Sequence, residues 1–444
     1  MKQNFFFYDL ETSGLKSRED RIMQFAGQRT TLDLEPIGEP VNILVKMTED
    51  ALPSPGAINV TKITPQQTLM DGVSEADFCR YVMEEIFVPG TVALGYNTVR
   101  FDDEFMRAIL WRNFYDPYEW EWKDERSRWD MLDVVRMTRA LRPEGINWPV
   151  TPEGKPTNRL ELLTKENGLS HEHAHDALSD VYATIAVAKL IKEKQPSLFG
   201  FLMENRGKRQ VQRYVNLENP HPVVYTSGRY ANEFNKTTVV VPIAPSRNGN
   251  VLVYDLRYDL EELLAEEEPR FYPIVKELCY NKCPIVAPLS VLGKADGWRK
   301  IGLTQEAVDK NWEILKKHPE FAERMKIENE SWPEFPPALE PEQAIYDGFL
   351  NDSDRLKVEA VRNAEPEKLV DFCPDFDDER LPELLLHYKG RNFPETLSEH
   401  EMEKWESYRR GRLERLLPRF LEELNMIQDD FVKEELKLYL ESLA

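Results

Sequence analysis

The run Phe5-Phe6-Phe7-Tyr8-Asp9-Leu10-Glu11-Thr12-Ser13-Gly14 constrains this chain more than any other stretch, because an apolar segment carries two carboxylates just before a turn. Side chains alternate faces along a strand, so Asp9 and Glu11, two apart, emerge on the same side of a strand end. Two acids held together repel unless a cation sits between them, and hard oxygen ligands suit magnesium or manganese. Alone, an Asp-x-Glu pair is a weak signal that more often describes acids at a strand-to-turn boundary, so other residues must decide between the two readings.

Those residues come from Asn97-Thr98-Val99-Arg100-Phe101-Asp102 and His175-Asp176-Ala177-Leu178-Ser179-Asp180. If the four acids meet, the chemistry is phosphodiester cleavage. Two magnesium ions roughly 3.5–4 Å apart share a carboxylate, activate water on one side and stabilise the leaving oxygen on the other. In that arrangement Asp9 bridges both ions, Glu11 and Asp180 serve one, and Asp102 serves the other directly or through water. His175 precedes Asp180 by five residues, in the turn ahead of a helix, where a neutral imidazole is placed to accept the proton of the attacking water.

At 444 residues the chain has the length of about two to four domains. Its 79 acidic residues outnumber its 57 Lys and Arg, for a formal charge of -22, which argues against indiscriminate binding of nucleic acid. A polyanion must therefore meet locally gathered arginines, while the excess acid serves as a solvated surface. The cysteines at 79, 279, 283 and 373 lack paired spacing, so they read as reduced thiols with neither a zinc site nor a disulfide framework. The early Asp9 interrupts any signal-peptide core and no apolar run reaches ~18 residues, so a soluble, cytoplasmic protein is expected.

In chain order, residues 4–10, 22–31 and 41–47 read as three strands forming a meander. A Pro/Gly loop follows over 52–58, and Ser74 caps a helix through Phe78, Val82 and Ile86. Residues 91–96 form a strand, Asn97 caps a helix over 101–111, and further helices are expected over 129–141 and 159–166. Asp176 caps a long helix that Pro196 stops. Strands followed by alternating strand and helix suggest an α/β, ribonuclease-H-like mixed sheet with helices on its faces. Beyond Pro196, short β-branched runs at 223–225, 238–241 and 251–254 suggest a small β-rich domain. From about Pro341 the pattern is helical, with breaks near Pro374, Pro394 and Pro418. The expected division is 1–195, 196–337 and 338–444.

The three acidic motifs resemble those of the Asp-Glu-Asp-Asp-His exonucleases, the proofreading superfamily. More closely, Arg100-Phe101-Asp102-Asp103-Glu104, Arg112-Asn113-Phe114-Tyr115-Asp116-Pro117-Tyr118, Arg142-Pro143-Glu144-Gly145-Ile146-Asn147-Trp148-Pro149, Asn281-Lys282-Cys283-Pro284 and Arg391-Asn392-Phe393-Pro394 resemble the bacterial exonuclease I family throughout the chain. That resemblance implies an exonuclease domain, a Src-homology-3-like (SH3-like) domain and a helical C-terminal domain that form a groove for single-stranded DNA. It implies Mg²⁺-dependent, processive 3′→5′ release of 5′-mononucleotides by a monomer, with two ions for which Mn²⁺ can substitute. Asp9, Glu11, Asp102 and Asp180 would be the acidic set and His175 the general base. Glu11 and Arg159 would hold the terminal nucleotide, and Arg107, Tyr118, Trp122 and Arg136 would line the strand's path. Arg142, with Phe201 nearby, would receive the acidic C-terminal tail of single-stranded-DNA-binding protein. Lys62 departs from the superfamily, where a glycine often stands before the Ile-Thr pair.

The motifs fix chemistry and not sugar, so a 3′→5′ exoribonuclease is the alternative; a decayed, DNA-binding scaffold is opposed by the presence of all four acids and His175. Residues 105–129 interleave aromatic residues with arginines, as a single-strand platform would. Of these, Phe105, Trp111, Phe114 and Trp129 are expected in the core, and Tyr118 and Trp122 in an exposed loop.

Overall fold

The computed structural model describes residues 3–171, 176–267, 270–332, 338–370 and 372–443. Strand β1 (Asn4–Thr12) pairs antiparallel with β2 (Ile22–Thr30), which pairs antiparallel with β3 (Val41–Leu44). On its other side β1 runs parallel to β4 (Thr91–Gly95), and β4 runs parallel to β5 (Ser127–Asp130), giving the order β3-β2-β1-β4-β5. The alternation of β1 divides the core. Phe5 and Phe7 pack with Trp129 and the helices Met131–Leu141 and Ala177–Lys194, whereas Phe6 and Tyr8 pack with Phe25, Phe78, Phe87 and Trp120.

A second sheet follows, antiparallel throughout and ordered from β10 (Ile285–Pro288) through β6 (Val223–Thr226), β7 (Thr237–Pro245) and β8 (Val251–Asp255) to β9 (Val275–Leu278). One face shares the apolar cluster of the first sheet, through Val224, Val239 and Ala287. The remaining chain is helical, including Asp352–Arg362, Leu381–Asn392, Glu399–Met426 and Asp430–Ser442. Among the described residues no helix is long and apolar enough to cross a membrane, and the four cysteines are free.

The helical region folds back on the first sheet through two apolar seams and a buried ionic cluster. Met23, Met47 and Ile58 meet Phe420, Leu424 and Leu436, while Trp111 and Phe114 meet Ile345, Leu384 and Tyr388. Between the seams, Asp50 Oδ2 accepts from Arg21 Nη2 at 3.0 Å and Arg391 Nε at 3.1 Å. Glu342 accepts from Arg21, Arg391 and Arg412, and Glu340 accepts from Arg412 Nη1 at 2.6 Å. Burial pushes the Glu342 carboxyl up, but Arg21, Arg391 and Arg412 outweigh it and hold the group well below the usual carboxylate range.

Several local expectations are corrected by tertiary packing. Residues 127–130 form β5, so Trp129 belongs to a strand, stacked at 6.3 Å on Phe5, and Asp130 starts the helix by accepting from Leu132 N. Asn97 makes no side-chain cap; it adopts φ 72° and donates its N–H to Asp130 Oδ1. The 52–58 loop gives way to a helix at Pro55–Thr61, where the proline occupies the first turn and needs no N–H partner. Pro418 lies inside the Glu399–Met426 helix rather than at a break, because Leu413, Leu417, Phe420 and Leu424 on either side pack into one apolar seam. Strands β9 and β10 were not expected from the sequence: Lys276 and Glu277 interrupt the apolar pattern of the first, and Pro284 and Pro288 bracket the second.

Removing one partner from a buried charge cluster leaves the others uncompensated, at roughly 3–5 kcal/mol. Glu342→Gln is therefore expected to lower unfolding free energy by about that amount. Glu323→Gln, at an exposed pair with Lys326, should cost less than about 1 kcal/mol. Chemical denaturation of both variants decides it, and equal losses would reduce the cluster to the rank of a surface ion pair.

Candidate active site

Asp9 and Glu11 stand at the end of β1 beyond its last pairing with β4, at Phe7 and Leu94, so their carboxylates face the space above the sheet. The close approach there requires Gly95: a Cβ at that position would lie 2.4 Å from the Tyr8 carbonyl oxygen. Asp180 enters from the first turn of the Ala177–Lys194 helix, whose start is fixed by Asp176 accepting from Ser179 N at 2.9 Å. Asp9, Glu11 and Asp180 present oxygens that all lie within 4.8 Å of one another. Asp102, in the first turn of the Asp102–Arg112 helix, accepts from Leu10 N at 3.1 Å and so stands beside β1 between the two acids.

These carboxylates disturb one another. Burial and then the charges of Asp102, Asp180 and Asp176 raise Asp9 well above the ordinary carboxylate range. Glu11 is pushed up to about 9, by burial first and then by Asp9, Asp180 and Asp176. Asp102 is raised by burial and by Asp103, against the opposing hydrogen bond from Leu10. A pocket of oxygen donors that resist ionising side by side has the donor chemistry of a hard divalent cation, whose charge would offset the repulsion.

A buried chain holds this constellation from behind. The Tyr8 hydroxyl donates to Asp103, Asp103 pairs with Arg128, and Arg128 Nη2 donates to the Asn281 carbonyl at 2.6 Å. Arg128 also pairs with Glu121 at 3.0 Å, which in turn accepts from Arg107 Nε at 2.5 Å. The sequence reading missed Tyr8, Asp103, Arg128 and Glu121 in this role; the doubled acid Asp102-Asp103 was its only trace.

It also passed over His171. Its Nε2 lies 2.5 Å from Asp180 Oδ1 and its Nδ1 lies 3.2 Å from Thr164 Oγ1, an arrangement that orients the carboxylate. The signal was present as histidines at 171, 173 and 175, from which superfamily spacing selects the last. His175 lies outside the described residues.

The expected substrate-contacting residues divide. Trp122 is 65% exposed, as an exposed loop requires. Tyr118 is half-buried, its ring edge-on to Phe349 at 5.9 Å and above the Arg107 guanidinium at 5.6 Å. Arg107 itself is buried, and Glu104 and Glu121 engage its head group, so it supports Tyr118 instead of lining an open path. Phe105, Trp111, Phe114 and Trp129 are core, as expected. Arg159 is exposed beside Glu161, and the Tyr96 hydroxyl donates to the adjacent Asn158 carbonyl, tying that segment to the end of β4. Arg136 pairs with Asp133 at 2.6 Å. Arg142 donates from Nη2 to the Val291 carbonyl at 3.1 Å, and Phe201 packs edge-on to Tyr214.

A ribonuclease-H-like mixed sheet that gathers three carboxylates, a candidate metal-binding group, at the end of its central strand is the arrangement of a nuclease of the exonuclease class. Family models agree along the chain: "Exonuclease" matches residues 6–188, "Exonuclease I SH3-like domain" residues 206–328, and "Exonuclease I C-terminal domain" residues 339–444. The exodeoxyribonuclease I of Haemophilus influenzae is 40% identical, over 93% of this chain and 91% of that protein. The crystal structure of E. coli exonuclease I in complex with a dA16 oligonucleotide superposes with a TM-score of 0.94 at 37% identity, covering 100% of both chains. A structure of SSB/exonuclease I with the inhibitor CFAM also covers both chains fully, at a TM-score of 0.91 and 37% identity. The chain belongs to the exodeoxyribonuclease I family. It is a hydrolase that degrades single-stranded DNA from the 3′ end, and the exoribonuclease alternative is set aside.

The raised acids give a pH signature. Glu11 moves from about 4.5 in the unfolded chain to about 9 in the fold, so the native state holds a proton the unfolded state releases. Its contribution is complete below pH 4.5 and is lost as pH rises towards 9. Metal-free protein should therefore lose melting temperature across that interval, Glu11→Gln should flatten the loss, and magnesium should raise the melting temperature most at the alkaline end. An equal magnesium effect at pH 6 and pH 9 would contradict the coupling.

Proposed function

We propose that this chain removes 5′-mononucleotides processively from the 3′ end of single-stranded DNA with two Mg²⁺ ions, which Mn²⁺ can replace. The observation that carries the reading is the convergence of Asp9, Glu11 and Asp180 within 4.8 Å at the end of β1. Asp9, Glu11 and Asp180 hold the metal, and Asp102 completes the acidic set from the adjacent helix. When bound, the ions supply an activated water and charge stabilisation for the leaving oxygen. The protein's own residues bind and orient: Glu11 and Arg159 fix the terminal nucleotide, and His175 takes the proton of the attacking water. His171 keeps Asp180 turned towards the pocket, and the hydrogen bond from Leu10 N keeps Asp102 against β1. Tyr118 and Trp122 offer ring faces to unpaired bases, with Arg107 supporting Tyr118 from below and Arg136 further along the path.

The acidic tail of single-stranded-DNA-binding protein is proposed as the protein partner, received by Arg142 and Phe201. The complex of SSB with a relative of the same fold supports it. A cytoplasmic monomer divided at 1–195, 196–337 and 338–444 completes the proposal.

Asp9→Ala and Asp180→Ala should abolish digestion of end-labelled single-stranded DNA in magnesium while leaving strand binding largely intact. Retained turnover in either variant would sink the metal assignment. His175→Ala should lower the rate by roughly 10²–10⁴-fold, the span of a lost general base.

The exposed loop generates a separate expectation. Trp122→Ala should weaken single-strand binding by about 1–3 kcal/mol, the worth of one base stacked on an aromatic ring, with melting temperature nearly unchanged. Fluorescence anisotropy beside thermal unfolding checks it; normal affinity with a large thermal loss would return the ring to the core.

A further inference from the structure

The helix that carries Asp102 starts without a side-chain cap, because Phe101 precedes it and offers no acceptor. Three consecutive acids fill its first turn instead: Asp102, Asp103 and Glu104. Successive side chains on a helix point about 100° apart, so the three carboxylates leave in different directions. Asp102 accepts from Leu10 N on β1, and Asp103 faces the Tyr8 hydroxyl and Arg128. Glu104 turns towards the rest of the chain. It accepts from the Tyr346 hydroxyl, pairs with Arg107 at 2.9 Å within its own helix, and lies 3.5 Å from the Lys282 ammonium in the turn between β9 and β10.

These contacts differ in weight. The Lys282 ammonium is exposed, and an exposed ion pair contributes little. The Arg107 pair ties the helix only to itself. The Tyr346 hydroxyl donates to a carboxylate, a charge-assisted bond of the stronger kind, and it arrives from 242 residues further along the chain. Tyr346 ends the segment Pro341–Tyr346, which meets the Asp102 helix at both ends: Trp111, near the helix's far end, donates from Nε1 to the Pro341 carbonyl at 2.9 Å. The segment is anchored independently of that helix. Glu342 belongs to the cluster with Arg21, Arg391 and Arg412, and the Ala344 carbonyl accepts from Arg380 Nη1 at 2.5 Å. Apolar packing through Phe105, Met106 and Ile109 sets the depth of the helix against the sheet, but such packing is non-directional. The two hydrogen bonds, about 10 Å apart along the axis, fix its advance and rotation.

We propose that Glu104, held by the Tyr346 hydroxyl, is a positioning residue for Asp102: it uses the docked segment Pro341–Tyr346 to set where the first turn of the helix, and with it the Asp102 carboxylate, stands beside β1. Glu104 acts through Asp102 and not on the strand or the metal, and its role rests on the exonuclease reading given above. Losing a partner that orients a metal ligand costs roughly 10–100-fold in metal affinity or activity. Glu104 stands one step further back, so the lower end of that range applies.

The test compares the full-length chain with Glu104→Gln, Tyr346→Phe and the two together, each checked by thermal unfolding. Mn²⁺ is titrated without DNA, with the free ion read by electron paramagnetic resonance, and kcat and KM are then measured on a labelled dT oligonucleotide in magnesium. Each single variant should weaken Mn²⁺ binding and lower kcat by about tenfold, with KM little changed. The double variant should lose no more than either single one, because both act through one hydrogen bond. Wild-type Mn²⁺ affinity and kcat in both single variants overturn the assignment and leave the exonuclease reading standing. A loss confined to KM overturns it as well, since that would put Glu104 and Tyr346 in the strand's path. A wild-type chain that neither binds Mn²⁺ nor shortens the oligonucleotide removes the exonuclease reading itself. Should Glu104→Gln lose its fold, Tyr346→Phe, which deletes one hydroxyl from a half-exposed ring, carries the same test.

Discussion

Asp9, Glu11 and Asp180 are held within 4.8 Å of one another, close enough that each raises the cost of ionising the others. A free chain would relax such a cluster by moving the acids apart. Here Asp9 and Glu11 are fixed by the ladder of β1 against β2, and Asp180 by a capped helix packed across the same sheet. The repulsion is balanced by core packing on both faces of β1, where Phe5 to Tyr8 bury four aromatic side chains. A comparable crowd of carboxylates occurs near the start of β2, where Asp50, Glu75, Glu340 and Glu342 are gathered. There Arg21, Arg112, Arg391 and Arg412 supply the opposite charge, and Asp50, Glu75 and Glu342 ionise readily. Among the described residues arginines pair with Asp50, Glu75 and Glu342 whereas none pairs with Asp9 or Glu11, and that difference separates an internal ionic cluster from a candidate metal pocket.

That arginine-rich cluster also explains why the helical C-terminal region matters to the active site. Arg391 and Arg412 reach from it to Asp50 and Glu342, while Arg21 immediately precedes the strand that pairs with β1. Ser13 N donates to the Arg21 carbonyl at 2.8 Å, so the turn after Glu11 closes on the residue that anchors the cluster. The end of β1 is thus restrained by the helices that carry Asp102 and Asp180 on one side and by the docked helical region on the other.

Much of this was legible in the sequence because it is written in local chemistry. The acids two apart on an apolar run, Asp176 as a helix cap and Ser74 as another each depend on neighbours within four residues, and each stands where expected. What failed to show depends on partners far away in sequence. Trp129 joins a strand because β4 pairs with it 35 residues back, at Leu94. Pro418 remains within a helix because an apolar seam holds both sides. Arg107 resembles a phosphate ligand by composition, but Glu121, fourteen residues on, folds back to engage it. His171 became visible as the partner of Asp180 only once the helix over 160–166 brought Thr164 beside it.

The acidity of the chain then ceases to conflict with a polyanionic substrate. Surface carboxylates are screened over about 10 Å at ordinary ionic strength, so the field a strand meets is set by the groups that line its path. The proposed stacking on Trp122 and Tyr118 would carry no charge and be indifferent to that acidity, whereas a duplex, with its bases already stacked, gains nothing from such rings. Cations committed to internal carboxylates, as Arg107, Arg112 and Arg128 are, contribute rigidity and not attraction. An acidic exonuclease can therefore hold a strand with a small number of uncommitted cations and exposed rings. Its excess negative charge also opposes nonspecific attachment of nucleic acid elsewhere on the surface.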